Sequence, residues 1–370
     1  MKRLKIVHII PSLKIGGAER LALEICKELS KNYHLDVKLI TFLGEIKSQH
    51  SFHIHIKSNY VPSITSKAKE NLFEIQNFIN DFSPDIIHSH LWKTEILLTK
   101  IETGNAKRFS HFHDNIVQLR HNVFPIKKKE ITNFYEKNLF IKNNQNSFIC
   151  ISNDTLKYAK KVLPKKLKNN TLLLPNAINY NQFYSNKKKN LDEIRLINIG
   201  SFVEKKNQMF GLHIVKKLAS MGYKTKIMFL GDGHKLKECE KIAKKIGVYE
   251  NVQFTGNVDD VKPYLEQSNI YLHTAKYEPF GLVLLEAMAA GLPIVCLDGK
   301  GNRDFITHNK NGFIFKNENV ESFVKSIIKL RNDKKLFNII TQNGRITALK
   351  YDIKNYVYQL LQIYSSSIKD

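Results

Sequence analysis

Of the 370 residues of the chain, 42% are hydrophobic and 25% are charged, which is typical of a globular protein. This length is more than a single hydrophobic core of ordinary size holds, so we expect two domains. No run of about 18 apolar residues is present and the apolar stretch after Met1 ends at Pro11, so we expect neither a membrane-spanning helix nor a signal peptide. The 58 basic and 34 acidic residues give a net charge of +24, which suits nucleic acid, an anionic membrane or phosphorylated ligands, but the lysines are spread along the chain and a compositional bias explains them equally well.

Strands and helices alternate through the first half of the chain. Lys5–Ile10 is a short apolar strand, Pro11–Gly17 is a loop with paired glycines, and apolar residues then recur at helical spacing over Leu21–Leu29. A second strand at Leu35–Phe42 completes a βαβ unit, which implies a parallel sheet with a right-handed crossover. The further predicted elements are a helix at Ala68–Phe82 and strands at Asp85–His90, Arg108–Phe112, Phe148–Ser152 and Leu172–Leu174. Residues 1–180 are therefore predicted to form a doubly wound α/β domain.

A second α/β series follows a polar stretch. The Asn/Lys-rich segment from Pro175 to Asn190 lacks periodicity, as expected of an interdomain linker. The strands predicted after it are Ile194–Ile199, Lys226–Leu230, Val252–Phe254, Ile270–Thr274, Pro293–Leu297 and Phe313–Phe315. Residues 191–351 are thus predicted to form a second Rossmann-like domain, with the ligand cleft between the domains. The last helix, at about Asn355–Ile368, has no strand after it, so the segment of about 352–370 can cross back onto the first domain.

The most informative segment is Tyr277–Pro293. A predicted strand precedes it, Pro279 and Gly281 force a tight turn, and an apolar helix follows that a glycine and a proline terminate. Glu286 lies inside this helix, where a carboxylate is costly unless a hydroxyl-rich ligand or a nearby lysine satisfies it. Glu278, eight residues earlier, follows the strand at the sheet edge where open α/β sheets bind ligands. The N–H groups at the start of the helix suit a phosphate.

This Glu-x(7)-Glu segment resembles the signature of the retaining glycosyltransferases of family four, the "group 1" transferases with the GT-B fold. The resemblance extends over almost the whole chain, and several matches are similar to bacterial enzymes that build capsules, exopolysaccharides or lipopolysaccharide. It implies that Glu278 contacts the hydroxyls of the donor sugar and that Glu286 binds the ribose hydroxyls. It also implies that the backbone at Phe280, Gly281 and Leu282 meets the sugar and the diphosphate.

The loop Gly200–Asn207 resembles the diphosphate-binding loop of that family. Lys206 stands at the family's lysine position, where an ammonium group would stabilise the charge that develops on the leaving diphosphate. Ser201 stands where the family usually has an arginine, and its hydroxyl can donate to phosphate but carries no charge. The alternative for Lys206, in a chain this rich in lysine, is a solvated surface side chain.

Three further loops resemble parts of the family's donor site. Gly16 and Gly17 begin a Gly-Gly-Ala-Glu-Arg sequence, which allows close backbone approach at a helix start. Gly231 lies in a Gly-Asp-Gly loop after a predicted strand, and Val258 lies where relatives hold the base. We expect these residues to bind the donor.

Histidines cluster on two predicted strands. The resemblance aligns His113 with a histidine that faces the donor sugar, with Asp114 placed to orient it. The pairs His88/His90 and His111/His113 each put two imidazoles on one strand face, so four rings could meet at a metal. No acidic or cysteine cluster completes such a site, so we expect packed strand residues and no metal.

The sequence therefore predicts a retaining glycosyltransferase of two Rossmann-like domains, with His113, Lys206 and Glu278 as catalytic candidates. The donor is expected to be a nucleotide sugar, most readily a UDP-sugar, with no cofactor and no nucleic acid. The acceptor is expected to be a saccharide or a lipid-linked saccharide used in cell-surface polysaccharide synthesis. The four scattered cysteines are typical of reduced thiols in a cytoplasmic protein.

Two alternatives and one surface remain open. A sugar-nucleotide epimerase would share the fold, and a basic nucleic-acid-binding protein would share the charge but needs a motif that the sequence lacks. A basic and aromatic stretch at Asn122–Asn146, with Lys127, Lys128 and Lys129, could dock the enzyme on the inner face of an anionic membrane. The aromatic residues of this stretch could equally be the buried face of a helix, and they are Phe124, Phe134, Tyr135 and Phe140.

Overall fold

A computed structural model of the chain describes residues 3–14, 16–32, 34–44, 50–56, 72–115 and 146–369. Two compact units divide the chain, Met1–Ala177 together with Ile353–Asp370 as unit 1 and Ile178–Asp352 as unit 2. The basic and aromatic stretch predicted at 122–146 lies outside the described residues except for Asn146, as does the start of the helix predicted from Ala68.

Unit 1 is built on a seven-stranded parallel sheet with the strand order β3-β2-β1-β4-β5-β6-β7. Its strands are β1 Leu4–Ile10, β2 Leu35–Thr41, β3 His53–His55, β4 Ile86–His90, β5 Lys107–Phe112, β6 Asn146–Cys150 and β7 Thr171–Leu173. Its helices are α1 Gly17–Leu29, α2 Phe73–Phe82, α3 Trp92–Leu98, α4 Asn153–Val162 and, at the end of the chain, α12 Ile353–Lys369. The three-residue β3 was not predicted.

Unit 2 is built on a six-stranded parallel sheet with the strand order β10-β9-β8-β11-β12-β13. Its strands are β8 Ile194–Ile199, β9 Thr225–Leu230, β10 Val252–Gly256, β11 Ile270–His273, β12 Ile294–Leu297 and β13 Phe313–Phe315. Its helices are α5 Tyr180–Phe183, α6 Gln208–Ser220, α7 Leu236–Lys245, α8 Lys262–Gln267, α9 Leu282–Ala289, α10 Val320–Asn332 and α11 Lys334–Lys350.

From Ile178 onward, the segment interpreted as a linker up to Asn190 belongs to unit 2. Ile178 pairs with Asp352, and Phe183 of α5 is buried. The ammonium group of Lys189 donates to the carbonyl oxygens of Leu265 and Glu266, 3.0 and 3.1 Å away, at the end of α8 where a cation is favoured. Polar composition indicated a linker here, but these side chains use their polar atoms to hold the segment in place.

Apolar strands fill the middle of both sheets. Within the described residues, unit 2 has a large core of β-strand and helix side chains around Phe229 and Leu272, and unit 1 has smaller cores around Ile9 and around Phe148. Strands that are buried on both faces are typical of a parallel sheet covered by helices. Within the described residues, no helix combines the length and the apolar character that crossing a bilayer requires.

The strand order fixes where each sheet can bind a ligand. The strand β1 lies between β2 and β4, and β8 lies between β9 and β11, so the chain winds away in opposite directions from these central strands. Loops that leave such a switch point diverge and open a crevice at the carboxyl ends of the strands. In unit 2 these are the loops after β8 and β11, and in unit 1 the loops after β1 and β4.

Candidate active site

A buried ion pair joins the two loops at the switch point of unit 2. Lys206 follows β8, Glu278 follows β11, and the lysine Nζ lies 2.6 Å from Oε2 of the carboxylate. His273, the last residue of β11, places its Nε2 3.1 Å from the same oxygen. Within the described residues both contacts fall on Oε2, so Oε1 can accept hydrogen bonds from sugar hydroxyls. Lys206 is thus a half-buried, paired side chain and not a solvated surface lysine.

The opposite charges of Lys206 and Glu278 stabilise each other. Burial alone would raise the pKa of Glu278, but the Lys206 ammonium and the hydrogen bond from His273 outweigh it and hold that pKa well below its ordinary value. Burial lowers the pKa of His273, although Glu278 opposes the shift, so the ring is neutral. The site therefore holds one ammonium group and one carboxylate, with a neutral imidazole beside them.

Backbone contacts hold Lys206 in place. The hydroxyl of Thr274 donates to the Lys206 carbonyl over 2.9 Å, and the next loop residue but one, Lys276, donates its N–H to the Lys205 carbonyl over 2.8 Å. Gly231, at φ +134°, has no room for a side chain, because a Cβ there would lie 2.3 Å from the Gly200 carbonyl oxygen. The predicted donor loops after β8 and β9 are therefore in direct contact.

Glu278 is fixed by a segment that the sequence analysis missed. Its N–H donates to the Gly299 carbonyl over 2.8 Å, and its carbonyl accepts the N–H of Gly301 over 2.9 Å. A Cβ on Gly299 would lie 2.6 Å from that of Glu278, so only glycine allows this approach. Fully buried Asn302 holds the segment by donating to the Leu297 carbonyl and accepting the Gly299 N–H. The available signal was the Gly-Lys-Gly-Asn run directly after a predicted strand.

The helix α9 carries the second glutamate of the motif. Gly281, at φ +99°, begins it in a conformation that favours glycine, and Glu286 within it is 1% exposed. The pKa of Tyr271 in β11 is raised well above its ordinary value, first by burial and further by the charges of Glu278 and Glu286, so both carboxylates act on the same strand. Phe280 and Leu282 are buried beside them.

The remaining predicted donor-site residues of unit 2 lie in loops at the same sheet edge. Ser201 is exposed in the loop after β8, and its carbonyl accepts a hydrogen bond from Gln208 over 3.0 Å. Val258 is half-buried in the loop after β10. Lys205 and Lys300 place their ammonium groups 5.6 and 5.9 Å from the centre of the Tyr277 ring, which adds positive charge to this edge.

In unit 1, Gly16 and Gly17 lie at the amino end of α1. Gly16 is the residue before the helix and Gly17 is its first residue. A Cβ on Gly16 would lie 2.3 Å from Oε2 of Glu19, so the carboxylate occupies the space beside the helix start. Burial raises the pKa of Glu19. The donor contact of Gly16 and Gly17 stays a prediction.

His113 belongs to a stack of histidines on one face of the unit 1 sheet. Strand register pairs His8 with His88 and His90 with His111, and residues two apart on a strand share a face. His8 on β1 is the member that the sequence analysis missed, because a single histidine in an apolar strand gives no signal until the register is known. Asp114 uses Oδ1 to accept the N–H of Asn115, whereas His113 Nε2 contacts His90 Nδ1 at 2.9 Å.

These five rings are neutral. Burial lowers the pKa of His8 and of His113 to about 3, and it lowers those of His88, His90 and His111 well below the ordinary value, with a further contribution from neighbouring rings. The ring nitrogens of His8, His88 and His90 lie within 4.8 Å of one another, as do those of His90, His111 and His113.

The neutral rings predict an acid-sensitive unit 1. Their pKa values are lower in the fold than in the unfolded chain, so the unfolded state binds more protons and stability is complete only above pH 6.5, then falls as the pH drops toward 3. We expect the free energy of unfolding to fall by up to about 1.4 kcal/mol per histidine for each pH unit below about 6. Urea unfolding followed by fluorescence measures this, because the single tryptophan, Trp92, lies in unit 1.

A variant with one ring fewer is the control for this dependence. His88→Gln should lower the proton uptake on unfolding by about one, whatever its effect on stability at pH 7.5. Unfolding free energies that stay constant between pH 7.5 and pH 5 would contradict the neutral, buried stack.

The family models and the relatives that match this chain are described as glycosyltransferases. A family model described as "Glycosyl transferases group 1" matches residues 181–347, and one described as "Glycosyltransferase Family 4" matches residues 15–182. The chain is 24% identical over 358 residues to an uncharacterized glycosyltransferase of Haemophilus influenzae, which covers 92% of this chain and 94% of that protein. It is 22% identical over 367 residues to the UDP-Gal:alpha-D-GlcNAc-diphosphoundecaprenol alpha-1,3-galactosyltransferase of Escherichia coli, with 93% and 92% covered.

A solved structure has the same architecture. The Anabaena protein HepE in complex with UDP and glucose superposes on this chain with a TM-score of 0.78 and 17% sequence identity, covering 98% of this chain and all of that one.

Proposed function

Because the chain belongs to the group 1 glycosyltransferases of family 4 and has the GT-B fold, we propose that it transfers a sugar from a UDP-sugar to a saccharide or lipid-linked saccharide, with retention of the anomeric configuration. The observation that carries the proposal is the Lys206–Glu278 pair at the switch point of unit 2. The named donor of the Escherichia coli relative is UDP-Gal, and the Anabaena structure contains UDP and glucose, which supports a UDP-sugar.

The residues of unit 2 suit the departure of a diphosphate. The bond between the anomeric carbon and the diphosphate oxygen breaks, negative charge develops on that oxygen, and the Lys206 ammonium stabilises it. One of the three N–H groups of Lys206 reaches Glu278, which leaves two for phosphate oxygens. The first-turn N–H groups of α9 add the positive end of a helix dipole. In this proposal the protein and not a metal ion supplies the positive charge.

The carboxylates position the donor. Glu278 accepts hydrogen bonds from sugar hydroxyls through Oε1, and Glu286 accepts them from the ribose. As the leaving group departs, the sugar gains oxocarbenium character. The acceptor hydroxyl attacks from the face that the diphosphate leaves, and its proton passes to a diphosphate oxygen. No protein nucleophile takes part in this scheme, and His113 of unit 1 is assigned a hydrogen bond to the donor sugar.

The first test is a pair of neighbouring lysines. Lys206→Ala should lower kcat for transfer from a UDP-sugar by roughly 10²-fold or more, because the diphosphate loses its cation. Lys205→Ala is the matched control, since it removes the neighbouring ammonium, which lies 5.6 Å from the centre of the Tyr277 ring. Glu286→Ala should raise the dissociation constant of UDP, measured by calorimetry, with a smaller effect on a free sugar.

The comparison separates the proposal from its alternatives. Equal losses in Lys206→Ala and Lys205→Ala would contradict the role of Lys206. Isomerisation of the donor sugar without any acceptor would indicate an epimerase instead of a transferase.

The second test is the product. The Escherichia coli relative is named for a diphosphoundecaprenol-linked acceptor, so we assign this chain to cell-surface polysaccharide synthesis, such as capsule or lipopolysaccharide, with the enzyme at the inner face of the cytoplasmic membrane. Labelled sugar from an α-linked UDP-sugar should pass to a saccharide on an undecaprenyl diphosphate analogue and become extractable into butanol. Proton NMR of the product should show the α-linkage, and a β-linkage would contradict retention.

A further inference from the structure

The five histidines and Tyr364 of α12 form one unbranched chain of hydrogen bonds. From His113 it runs through His90, where Nε2 of the first ring meets Nδ1 of the second at 2.9 Å, and on to His8, where Nε2 of His90 meets Nδ1 at 2.9 Å. The Tyr364 hydroxyl then lies 3.3 Å from His8 Nε2 and 2.5 Å from Nδ1 of His88.

The chain ends at His111, whose Nδ1 lies 3.2 Å from His88 Nε2. Within the described residues, two ring nitrogens of the chain have no hydrogen-bond partner, and they are its two ends, His113 Nδ1 and His111 Nε2. Every other ring nitrogen of the five histidines is used once.

The number of protons in the chain links the protonation of its two end nitrogens. Each neutral imidazole carries one N–H and one lone pair, and the tyrosine carries one O–H. If every contact contains one proton, and the Tyr364 proton also has an acceptor, all donors must point the same way along the chain. One end then presents an N–H and the other a lone pair, so His113 and His111 must hold opposite tautomers with respect to their outer nitrogens.

We propose that the chain switches between these two arrangements as a unit and that Tyr364 is the positioning residue that couples its halves. In one arrangement His113 Nδ1 donates, and in the other it accepts. Tyr364 bonds to the middle of the chain, at His8 and His88, and it decides whether the tautomer of His113 depends on that of His111. The effect on turnover rests on the proposed donor role of His113, whereas the coupling itself does not.

A metal ion fits this arrangement less well than protons do. Nitrogens at 2.9 Å face each other across a shared proton, and a metal with Zn–N bonds of about 2.0–2.1 Å on both sides would force them apart. The rings are also stacked, with His111 and His113 centred 4.1 Å apart and His88 and His90 4.6 Å apart. Stacked rings direct their lone pairs side by side and not toward one point.

Two tyrosines on the same helix provide a matched experiment. Tyr364→Phe removes the hydroxyl that joins the halves of the chain. Tyr364 is fully buried, and phenylalanine keeps the rest of its side chain. Tyr356→Phe is the control, because Tyr356 is buried on α12 and its hydroxyl has no hydrogen-bond partner within the described residues. The readout is the protonation of each ring nitrogen at pH 7.5, from nitrogen NMR of histidine-labelled full-length protein.

The expected result is a change in the tautomer ratio of His113 in Tyr364→Phe of about fivefold, the size expected from the loss of one net hydrogen bond. Tyr356→Phe should leave that ratio as in the wild type. His88→Gln, which cuts the chain on the far side of Tyr364, should also change it, so the test survives if Tyr364→Phe does not fold.

Other outcomes of these measurements would contradict either the coupling through Tyr364 or the donor role of His113. An unchanged His113 ratio in Tyr364→Phe and His88→Gln, or an equal change in Tyr356→Phe, would overturn the coupling. Stoichiometric binding of Zn²⁺ that perturbs the His111 and His113 nitrogens would overturn it in favour of a metal site. A shifted tautomer ratio with unchanged transferase turnover would support the coupling and contradict the donor role of His113.

Discussion

The ion pair between Lys206 and Glu278 is the interaction on which the candidate site depends. A carboxylate this deeply buried persists in its charged form only beside a cation or several donors, and breaking such a pair costs roughly 3–5 kcal/mol. The pair also joins the loops on both sides of the switch point, while Gly299 and Gly301 hold Glu278 from behind. The same contact therefore fixes the loops and aims an ammonium group and a carboxylate oxygen at the sheet edge.

The buried polar groups of unit 1 are satisfied in a different way. Its five stacked histidines are neutral, and neighbouring rings share hydrogen bonds. Because the stack lies on the sheet face that α12 covers, the last helix of the chain supplies the hydroxyl that closes the network. The end of the chain thereby belongs to the polar interior of the first unit, which gives a physical reason for its return there.

What the sequence could predict was local. The spacing of Glu278, Gly281 and Glu286 follows from strand, turn and helix signals within a few residues, and the position of Lys206 follows from the resemblance of its loop to that of the family. The structure places Lys206 and Glu278 together. The membership of His8, His273 and Tyr364 in their networks depends on the register between strands and helices far apart in sequence, which no periodicity reveals. The polar segment before Asn190 was misjudged for the same reason, since its partners Leu265, Glu266 and Asp352 lie far away in the sequence.

The central claim is that a nucleotide diphosphate binds beside Lys206 at the carboxyl edge of unit 2. A crystal structure of the full chain grown with UDP tests it most directly. We expect diphosphate oxygens within hydrogen-bond distance of Lys206 Nζ and of the first N–H groups of α9, with the ribose hydroxyls at Glu286. A nucleotide bound elsewhere, with Lys206 contacting only Glu278, would contradict it.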